Sequence, residues 1–270
     1  MYPASFNYLR ASSVREAISM IGDNEDAKFI AGGHSLVPLM KLRLATPSTL
    51  VDIGRIKDLS YVREDGGQIA IGALTRHRDL EVSPLLNAKA PIIAKVAGQV
   101  GDPSVRHKGT IGGSIAHGDG ASDLPAAALA LDAVFVVEGP SGRREIKSTE
   151  FHKGFLETAL APNEVLVEIR VPTNIESWSF QKFNRRAQDW AIVGVAAVRN
   201  GSTRVALINM GSTPVRAAGT EAAIKDGASI KEAASQADLG LDPPGDLNAT
   251  VEFRRHLAHV LVGRALEELG

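Results

Sequence analysis

A glycine pair between a short apolar run and a helical pattern constrains this chain more than any other feature. It lies in Lys28-Phe-Ile-Ala-Gly-Gly-His-Ser-Leu-Val-Pro-Leu-Met-Lys-Leu-Arg43. The pattern predicts a strand over 28–31, a tight turn at Gly32 and Gly33, and a helix that Ser35 is placed to cap. Backbone N–H groups at such a helix start favour a phosphate or pyrophosphate. An ordinary strand-to-helix turn has the same form, and the three glycines of a Rossmann fingerprint are missing.

A second glycine pair follows about eighty residues later, in Gly109-Thr-Ile-Gly-Gly-Ser114. Two separated glycine-pair loops suit a ligand with two linked phosphates, held from both sides by backbone amides. The hydroxyl groups of Ser35, Thr110 and Ser114 can donate hydrogen bonds to phosphate oxygens, or they can cap local helices. Both roles use the same end of a helix, so the residues leave both open.

The two loops together resemble a known pair of motifs. Ala31-Gly-Gly-His-Ser35 and Thr110-Ile-Gly-Gly-Ser114 look like the two FAD-binding signatures of the medium, flavoprotein subunits of molybdenum hydroxylases. The carbon monoxide dehydrogenase and xanthine dehydrogenase families belong to this group. Gly101-Asp-Pro103 and Arg106, between the two motifs, fit the same pattern, and the resemblance extends over essentially the whole chain. It implies FAD as the cofactor.

The resemblance also implies a set of residues that contact FAD. In the two loops these are Ala31, Gly32, Gly33, His34, Ser35, Thr110, Ile111, Gly112, Gly113 and Ser114. Asp123 is expected on the ribityl or ribose side, although a carboxylate at a helix start has the same form. Leu166 and Lys182 match flavin-contacting positions near the domain junction. Lys182 is expected to hydrogen-bond the pyrimidine edge and to stabilise negative charge on reduced flavin, with Gln181 as the alternative.

Two further side chains carry expectations about the flavin. Arg185-Arg-Ala-Gln-Asp-Trp190 matches a stretch that commonly ends in tyrosine in the family. We expect Trp190 to stack against or shield the isoalloxazine ring; the alternative is a core aromatic on a domain-linking strand. In some oxidases of the wider fold, a histidine placed like His34 carries FAD covalently. In the subunits that this chain resembles FAD is held non-covalently, and we expect the same here.

The composition excludes several kinds of site. The 270 residues contain no cysteine, which excludes a disulfide, a thiolate zinc site and a cysteine-ligated iron–sulfur cluster on this chain. A formal net charge of −1 gives no case for nucleic acid or an anionic membrane. No signal peptide or apolar membrane span is recognisable, so a cytoplasmic location without membrane insertion is expected. His77, His107 and His117 lack metal-ligand spacings, and no metal or catalytic residue set is predicted.

The residues predict an α+β chain with two domains. The first covers 1–173 and the second 174–270, with the boundary at Pro172-Thr-Asn174. The resemblance implies that the first domain has the vanillyl-alcohol-oxidase-type (PCMH-type) FAD-binding fold, with two subdomains divided near residues 55–60. It also implies that the second domain is like the C-terminal domain of carbon monoxide dehydrogenase flavoproteins.

The second domain is predicted to be a small α+β unit. Strand patterns over 178–184, 192–199 and 204–210 indicate a three-stranded antiparallel sheet, with a hairpin turn at Asn200-Gly201. Helices follow, and the last runs from about 248 to 269. The predicted buried stripe of that helix consists of Phe253, Leu257, Val260, Leu261 and Ala265.

Together these features predict an FAD-carrying electron-transfer subunit. The resemblance implies an iron–sulfur small subunit that supplies electrons, a molybdopterin large subunit that oxidises the substrate, and an external acceptor. The expected assembly is a dimer of heterotrimers. A self-sufficient flavin-dependent oxidase or reductase of the same fold is the alternative, and a nucleotide-binding regulatory module is a third interpretation.

Overall fold

The strand before the first glycine pair belongs to a small parallel sheet. The computed structural model describes residues 2–270. The elements of its first unit are β1 (Asn7–Arg10), α1 (Val14–Ile21), β2 (Ala27–Ile30), α2 (Leu36–Lys41), β3 (Thr49–Asp52) and a 3-10 turn (Lys57–Leu59). The strand order is β1-β3-β2, and both pairs are parallel. Because a parallel pair needs a crossover, the chain leaves β2 through the glycine pair, forms α2, and returns as β3.

The second unit is an antiparallel five-stranded sheet with helices packed on it. Its elements are β4 (Val62–Asp65), β5 (Gln68–Gly72), α3 (His77–Glu81), α4 (Pro84–Lys89), α5 (Pro91–Gly98), α6 (Pro103–Arg106), α7 (Ile111–His117), α8 (Asp123–Ala130), β6 (Val134–Gly139), β7 (Gly142–Lys147), α9 (Ser148–Phe151), β8 (His152–Gly154), β9 (Glu157–Thr158) and β10 (Val165–Pro172). The order is β4-β5-β10-β6-β7, so β10 lies between two hairpins. Ile169 pairs with Ile71 on one side and Phe135 on the other, and all three are fully buried. These pairs form the centre of the core.

The third unit is an antiparallel sheet with helices on one side, as predicted, but it has four strands rather than three. Its elements are β11 (Ser177–Phe183), β12 (Val193–Asn200), β13 (Ser202–Ile208), β14 (Val215–Arg216), α10 (Ala218–Lys225), α11 (Ile230–Ala234) and α12 (Val251–Leu269). The strand that the sequence analysis missed, β14, has only two residues, too few to show a period of two. It is held by Arg216, which forms ion pairs with Glu221 at 2.5 Å and Asp132 at 2.9 Å.

The buried face of α12 differs from the predicted stripe. Leu257, Leu261 and Ala265 are buried as predicted, but Phe253 is 40% exposed and the neighbouring Arg254 is fully buried. Burying a guanidinium requires partners, and Arg254 has two. It pairs with Asp246 at 2.7 Å and donates to the carbonyl oxygen of Ile192. Neither α12 nor another helix among residues 2–270 is long and apolar enough to cross a membrane.

Helix α8 joins the second and third units. All eight of its residues are buried, and it packs against α5 on one side and against β12 and β13 on the other. Its alanine-rich sequence allows these elements to approach closely, since alanine adds little side-chain volume. One continuous core therefore includes residues of both sheets. The domain division between 173 and 174 stays a prediction.

We predict that replacing Arg254 destabilises the chain far more than replacing an exposed arginine of the same helix. Arg254→Met leaves the Ile192 carbonyl and Asp246 without their partner, and should lower the free energy of unfolding by about 3 kcal/mol. Arg264→Met is the control, because Arg264 is exposed, and should change it by no more than about 0.5 kcal/mol. Urea unfolding followed by circular dichroism measures both; equal midpoints would contradict the structural role of Arg254.

Candidate functional site

A cleft of 770 Å³ runs between the first and second units and reaches the third. Its volume lies within the range of about 300–1,000 Å³ that is typical of ligand sites. Thirteen of the predicted contact residues line it, namely Ala31, Gly32, Gly33, His34, Ser35, Thr110, Gly112, Gly113, Ser114, Asp123, Leu166, Lys182 and Trp190. The exception is Ile111, whose side chain lies in the core and is 1% exposed. The structure therefore brings residues from three units to one cleft.

The first glycine loop offers unused hydrogen-bond donors. Gly33 has φ of +72°, a conformation that favours glycine. No acceptor among residues 2–270 bonds the amides of residues 32–35. Ser35 precedes α2 as predicted, but the expected cap is wrong, because its side chain makes no capping hydrogen bond. The backbone of Ser35 is helical, with φ of −101° and ψ of −49°, instead of extended as in a capping residue. The loop therefore presents successive amides and a free hydroxyl to the cleft.

The second glycine loop differs from the first. The amides of Ile111 and Gly112 donate to the carbonyl oxygens of Thr75 at 3.0 Å and Ala73 at 2.8 Å. The amide of Gly113 donates to the hydroxyl oxygen of Thr110 at 3.2 Å, which caps α7. The first two amides bind the loop to the segment after β5, and the third is engaged within the loop itself. The expectation that backbone amides grip a diphosphate from both sides is therefore wrong for this loop, which offers the hydroxyls of Thr110 and Ser114 instead.

The two loops touch each other. A Cβ atom added to Gly32 would lie 2.9 Å from the Cα of Gly109, so Gly32 allows a backbone contact that a side chain would prevent. Gly113, in contrast, is exposed towards the cleft, and a Cβ there would meet only the hydroxyl oxygen of Thr110, at 2.8 Å. Of these two glycines, Gly32 joins the loops and Gly113 leaves the cleft surface open.

A buried ion pair lies beyond the loops. Lys182 Nζ, on β11, is 2.6 Å from Asp123 Oδ2, on α8, and the two side chains are 4% and 7% exposed. Lys182 also donates to the carbonyl oxygen of Gln99 at 3.1 Å. Burial raises the pKa of Asp123, and the neighbouring ammonium opposes that rise. Lys182 lines the cleft, whereas Gln181 donates to Ser179 at 3.2 Å. Of the two alternatives, the structure directs Lys182 to the cleft.

One oxygen of this pair has no partner. Asp123 Oδ1 is buried and accepts no hydrogen bond from residues 2–270. A buried carboxylate oxygen without a donor is costly, so this atom is a strong acceptor for a donor group of a ligand. The cleft offers free amides at the first loop, hydroxyls at the second, and this acceptor. These groups match the phosphates, hydroxyls and ring N–H of a flavin dinucleotide. The residues present therefore fit FAD.

The two remaining predicted residues, Leu166 and Trp190, also line the cleft. Leu166, on β10, is 5% exposed and lines the cleft with its apolar side chain. Trp190, in the loop between β11 and β12, is 56% exposed. The alternative of a core aromatic is wrong for Trp190, because a core residue would be buried. Its indole is available to cover a ligand.

Sequence analysis missed two groups of cleft residues. An apolar strip continues the cleft beyond the first loop and includes Phe29, Leu39 and Pro47. His77 lines the cleft as well, although it is 4% exposed, and its Nδ1 has no hydrogen-bond partner among residues 2–270. No local pattern marks either group, since their places follow from contacts between separate segments. The described residues hold no cluster of three or more histidine, aspartate or glutamate side chains that would bind a metal ion.

Two family models cover nearly the whole chain. Residues 4–174 match the FAD binding domain in molybdopterin dehydrogenase, and residues 178–269 match the CO dehydrogenase flavoprotein C-terminal domain. The carbon monoxide dehydrogenase medium chain of Hydrogenophaga pseudoflava is 42% identical, with 98% of this chain and 97% of the relative covered. The glyceraldehyde dehydrogenase medium chain of Sulfolobus acidocaldarius is 33% identical, with both chains fully covered.

Solved structures agree. Carbon monoxide dehydrogenase from Hydrogenophaga pseudoflava, in a form lacking the Mo-pyranopterin moiety, superposes with a TM-score of 0.93 at 41% identity, covering 100% of this chain and 98% of the other. Quinoline 2-oxidoreductase from Pseudomonas putida 86 gives a TM-score of 0.93 at 30% identity, with the same coverage. The resemblance, the fold class and the cofactor expected from the sequence are confirmed. The chain belongs to the FAD-carrying medium subunits of the carbon monoxide and xanthine dehydrogenase type of molybdenum hydroxylase.

Proposed function

We propose that this chain holds FAD in the cleft and passes electrons from an iron–sulfur partner to an external acceptor. The observation that carries the proposal is the cleft itself, which is lined by the free amide donors of one loop and by a buried ion pair. The chain has no cysteine to ligate an iron–sulfur cluster of its own. Electrons from such a cluster would therefore come from another polypeptide.

Different residues of the cleft bind different parts of FAD. We assign the diphosphate to the amides of Gly33, His34 and Ser35 and to the hydroxyls of Thr110 and Ser114. The diphosphate is attracted because backbone N–H groups at a helix start carry partial positive charge. No covalent bond from His34 is needed for such binding. The apolar strip beyond the first loop then receives the adenosine part.

The other end of the cleft suits the flavin ring. When bound, FAD supplies the uptake of electrons and their release in one-electron or two-electron steps. Asp123 Oδ1 accepts a hydrogen bond from the ribityl or ring side, and Leu166 and Trp190 contact the ring faces. The ammonium of Lys182, held by Asp123 at 2.6 Å, places a positive charge at a position that is shielded from solvent. That charge stabilises negative charge at the pyrimidine edge.

The names of the relatives support an assembly of several subunits. The similar proteins include a nicotine 6-hydroxylase medium subunit at 31% identity and a subunit alpha of a 6-hydroxypseudooxynicotine dehydrogenase complex at 37% identity. We propose an iron–sulfur small subunit and a molybdopterin large subunit as partners, in a dimer of heterotrimers. The substrate then contacts the large subunit, and this chain passes the electrons to the acceptor.

We predict that a methyl group added at Gly113 weakens FAD binding. Gly113→Ala places a Cβ on the exposed side of the loop, against the hydroxyl oxygen of Thr110, and should raise the Kd for FAD about tenfold, or about 1.4 kcal/mol. Gly263→Ala is the matched control, since its Cβ would meet only the Cβ of Ala234, at 3.7 Å. Fluorescence titration measures both affinities. An unchanged Kd in Gly113→Ala would remove Gly113 from the phosphate-binding site.

We also predict that the flavin-loaded chain is incomplete as an enzyme. Its visible spectrum should not bleach when carbon monoxide, a purine, an aldehyde or an N-heterocycle is added to it alone. Adding the proposed iron–sulfur and molybdopterin subunits should make the flavin absorbance bleach with one of these substrates. Stopped-flow absorbance at the flavin band measures the rates. Rapid bleaching of the isolated chain would instead favour the self-sufficient oxidase or reductase.

A further inference from the structure

His77 occupies an unusual place beside the cleft. It begins α3, and its ring packs against the backbone of Gly109, where an added Cβ would lie 2.8 Å from the ring Nε2. Gly109 is also the residue whose Cα approaches Gly32, so the ring lies next to the point at which the two glycine loops touch. The ring lines the cleft, and its buried Nδ1 has no partner among residues 2–270. An imidazole buried without hydrogen bonds is costly in either protonation state, so its position needs a reason.

Burial and the nearby charged groups keep the ring of His77 neutral in the free chain. Together they lower the pKa of His77 to about 4, with burial the largest cause and His34 and Arg106 the smaller ones. Helix α6 has one charged residue, Arg106. Helix α5 also has one, Lys95, and its side chain is exposed. On α3 itself, Glu81 is committed to Arg78 at 3.0 Å and Arg106 at 3.2 Å. Asp79, the other carboxylate of α3, is exposed, so neither acidic residue of this helix favours the protonated ring.

We propose that His77 is a further residue of the cofactor site, and that its ring takes up a proton when the diphosphate binds beside the glycine loops. This inference rests on the proposed function, because it requires the diphosphate at the first loop. The diphosphate brings two negative charges to the part of the cleft beside His77, near His34 and Arg106. A negative charge within about 4–6 Å stabilises a protonated group strongly.

The sign of the effect follows from the pKa values. The pKa of His77 is about 4 in the free chain. A nearby negative charge raises the pKa of a basic group such as imidazole by about 1–3 units. When a group has a higher pKa in the complex than in the free protein, binding takes up protons. The affinity for FAD then increases as the pH falls through the pKa in the complex. Each unit of difference contributes up to about a tenfold change in Kd.

The test measures FAD binding and proton uptake together. Calorimetric titrations of the full chain, in buffers with different ionisation enthalpies, give the number of protons taken up. For the wild type we expect net uptake near pH 6 and a Kd roughly tenfold lower at about pH 5.5 than at about pH 8. His77→Gln should take up fewer protons and show a flatter pH profile. His256→Gln, at an exposed position of α12, is the control and should behave as the wild type.

His34→Gln separates the two histidines near the loops, because His34 lies in the first loop itself. If His34→Gln abolishes the proton uptake and His77→Gln retains it, the inference is overturned. Zero proton uptake by the wild type also overturns the inference. This outcome requires no variant, so the test is decisive even if His77→Gln does not fold. Failure of the proposed function looks different, since the wild type would then show no saturable FAD binding at any pH.

Discussion

The contact between Lys182 and Asp123 determines how the cofactor cleft is built. Each side chain loses water on burial, and only a partner of opposite charge at close range repays that loss. The two residues come from different units, β11 and α8, so pairing them fixes the third unit against the second. The alanine-rich sequence of α8 allows the close approach. The same pair leaves one carboxylate oxygen free for the ligand, so a single interaction serves both the fold and the site.

The two glycine loops look equivalent in sequence but contribute differently to the site. The second loop uses the amides of Ile111, Gly112 and Gly113 to hold itself in place, whereas the first loop leaves its amides free. The second loop is fixed by its own hydrogen bonds, and the first loop supplies the amide donors. The loops touch where Gly32 meets Gly109, so a diphosphate placed there meets only one set of free amides. Because of this difference, Gly113 of the second loop contributes open surface to the cleft. Hydrogen bonds to a ligand come instead from the neighbouring hydroxyls.

Local patterns in the sequence predicted the glycine loops and most strands, because each depends on neighbouring residues, whereas FAD as the cofactor was implied by the family resemblance. Contacts between distant segments were harder to predict. The amide of Gly112 is engaged by Ala73, and Asp123 meets Lys182 across 59 positions of sequence, so neither contact has a local signature. Arg254 interrupts an apolar stripe, and its burial depends on the carbonyl group of Ile192, 62 positions away in the sequence. The resemblance supplied Asp123 and Lys182 as separate flavin contacts, and only the structure showed that they bind each other.

A structure of the chain determined with FAD tests the binding arrangement most directly. We expect the diphosphate oxygens within hydrogen-bond distance of the amides of Gly33, His34 and Ser35, with hydroxyl contacts from Thr110 and Ser114. We expect the ring end to lie against the Asp123–Lys182 pair, with that pair intact. Phosphates bound to the second loop through its amides, after loss of their bonds to Ala73 and Thr75, would contradict this arrangement. So would a flavin ring placed away from Asp123.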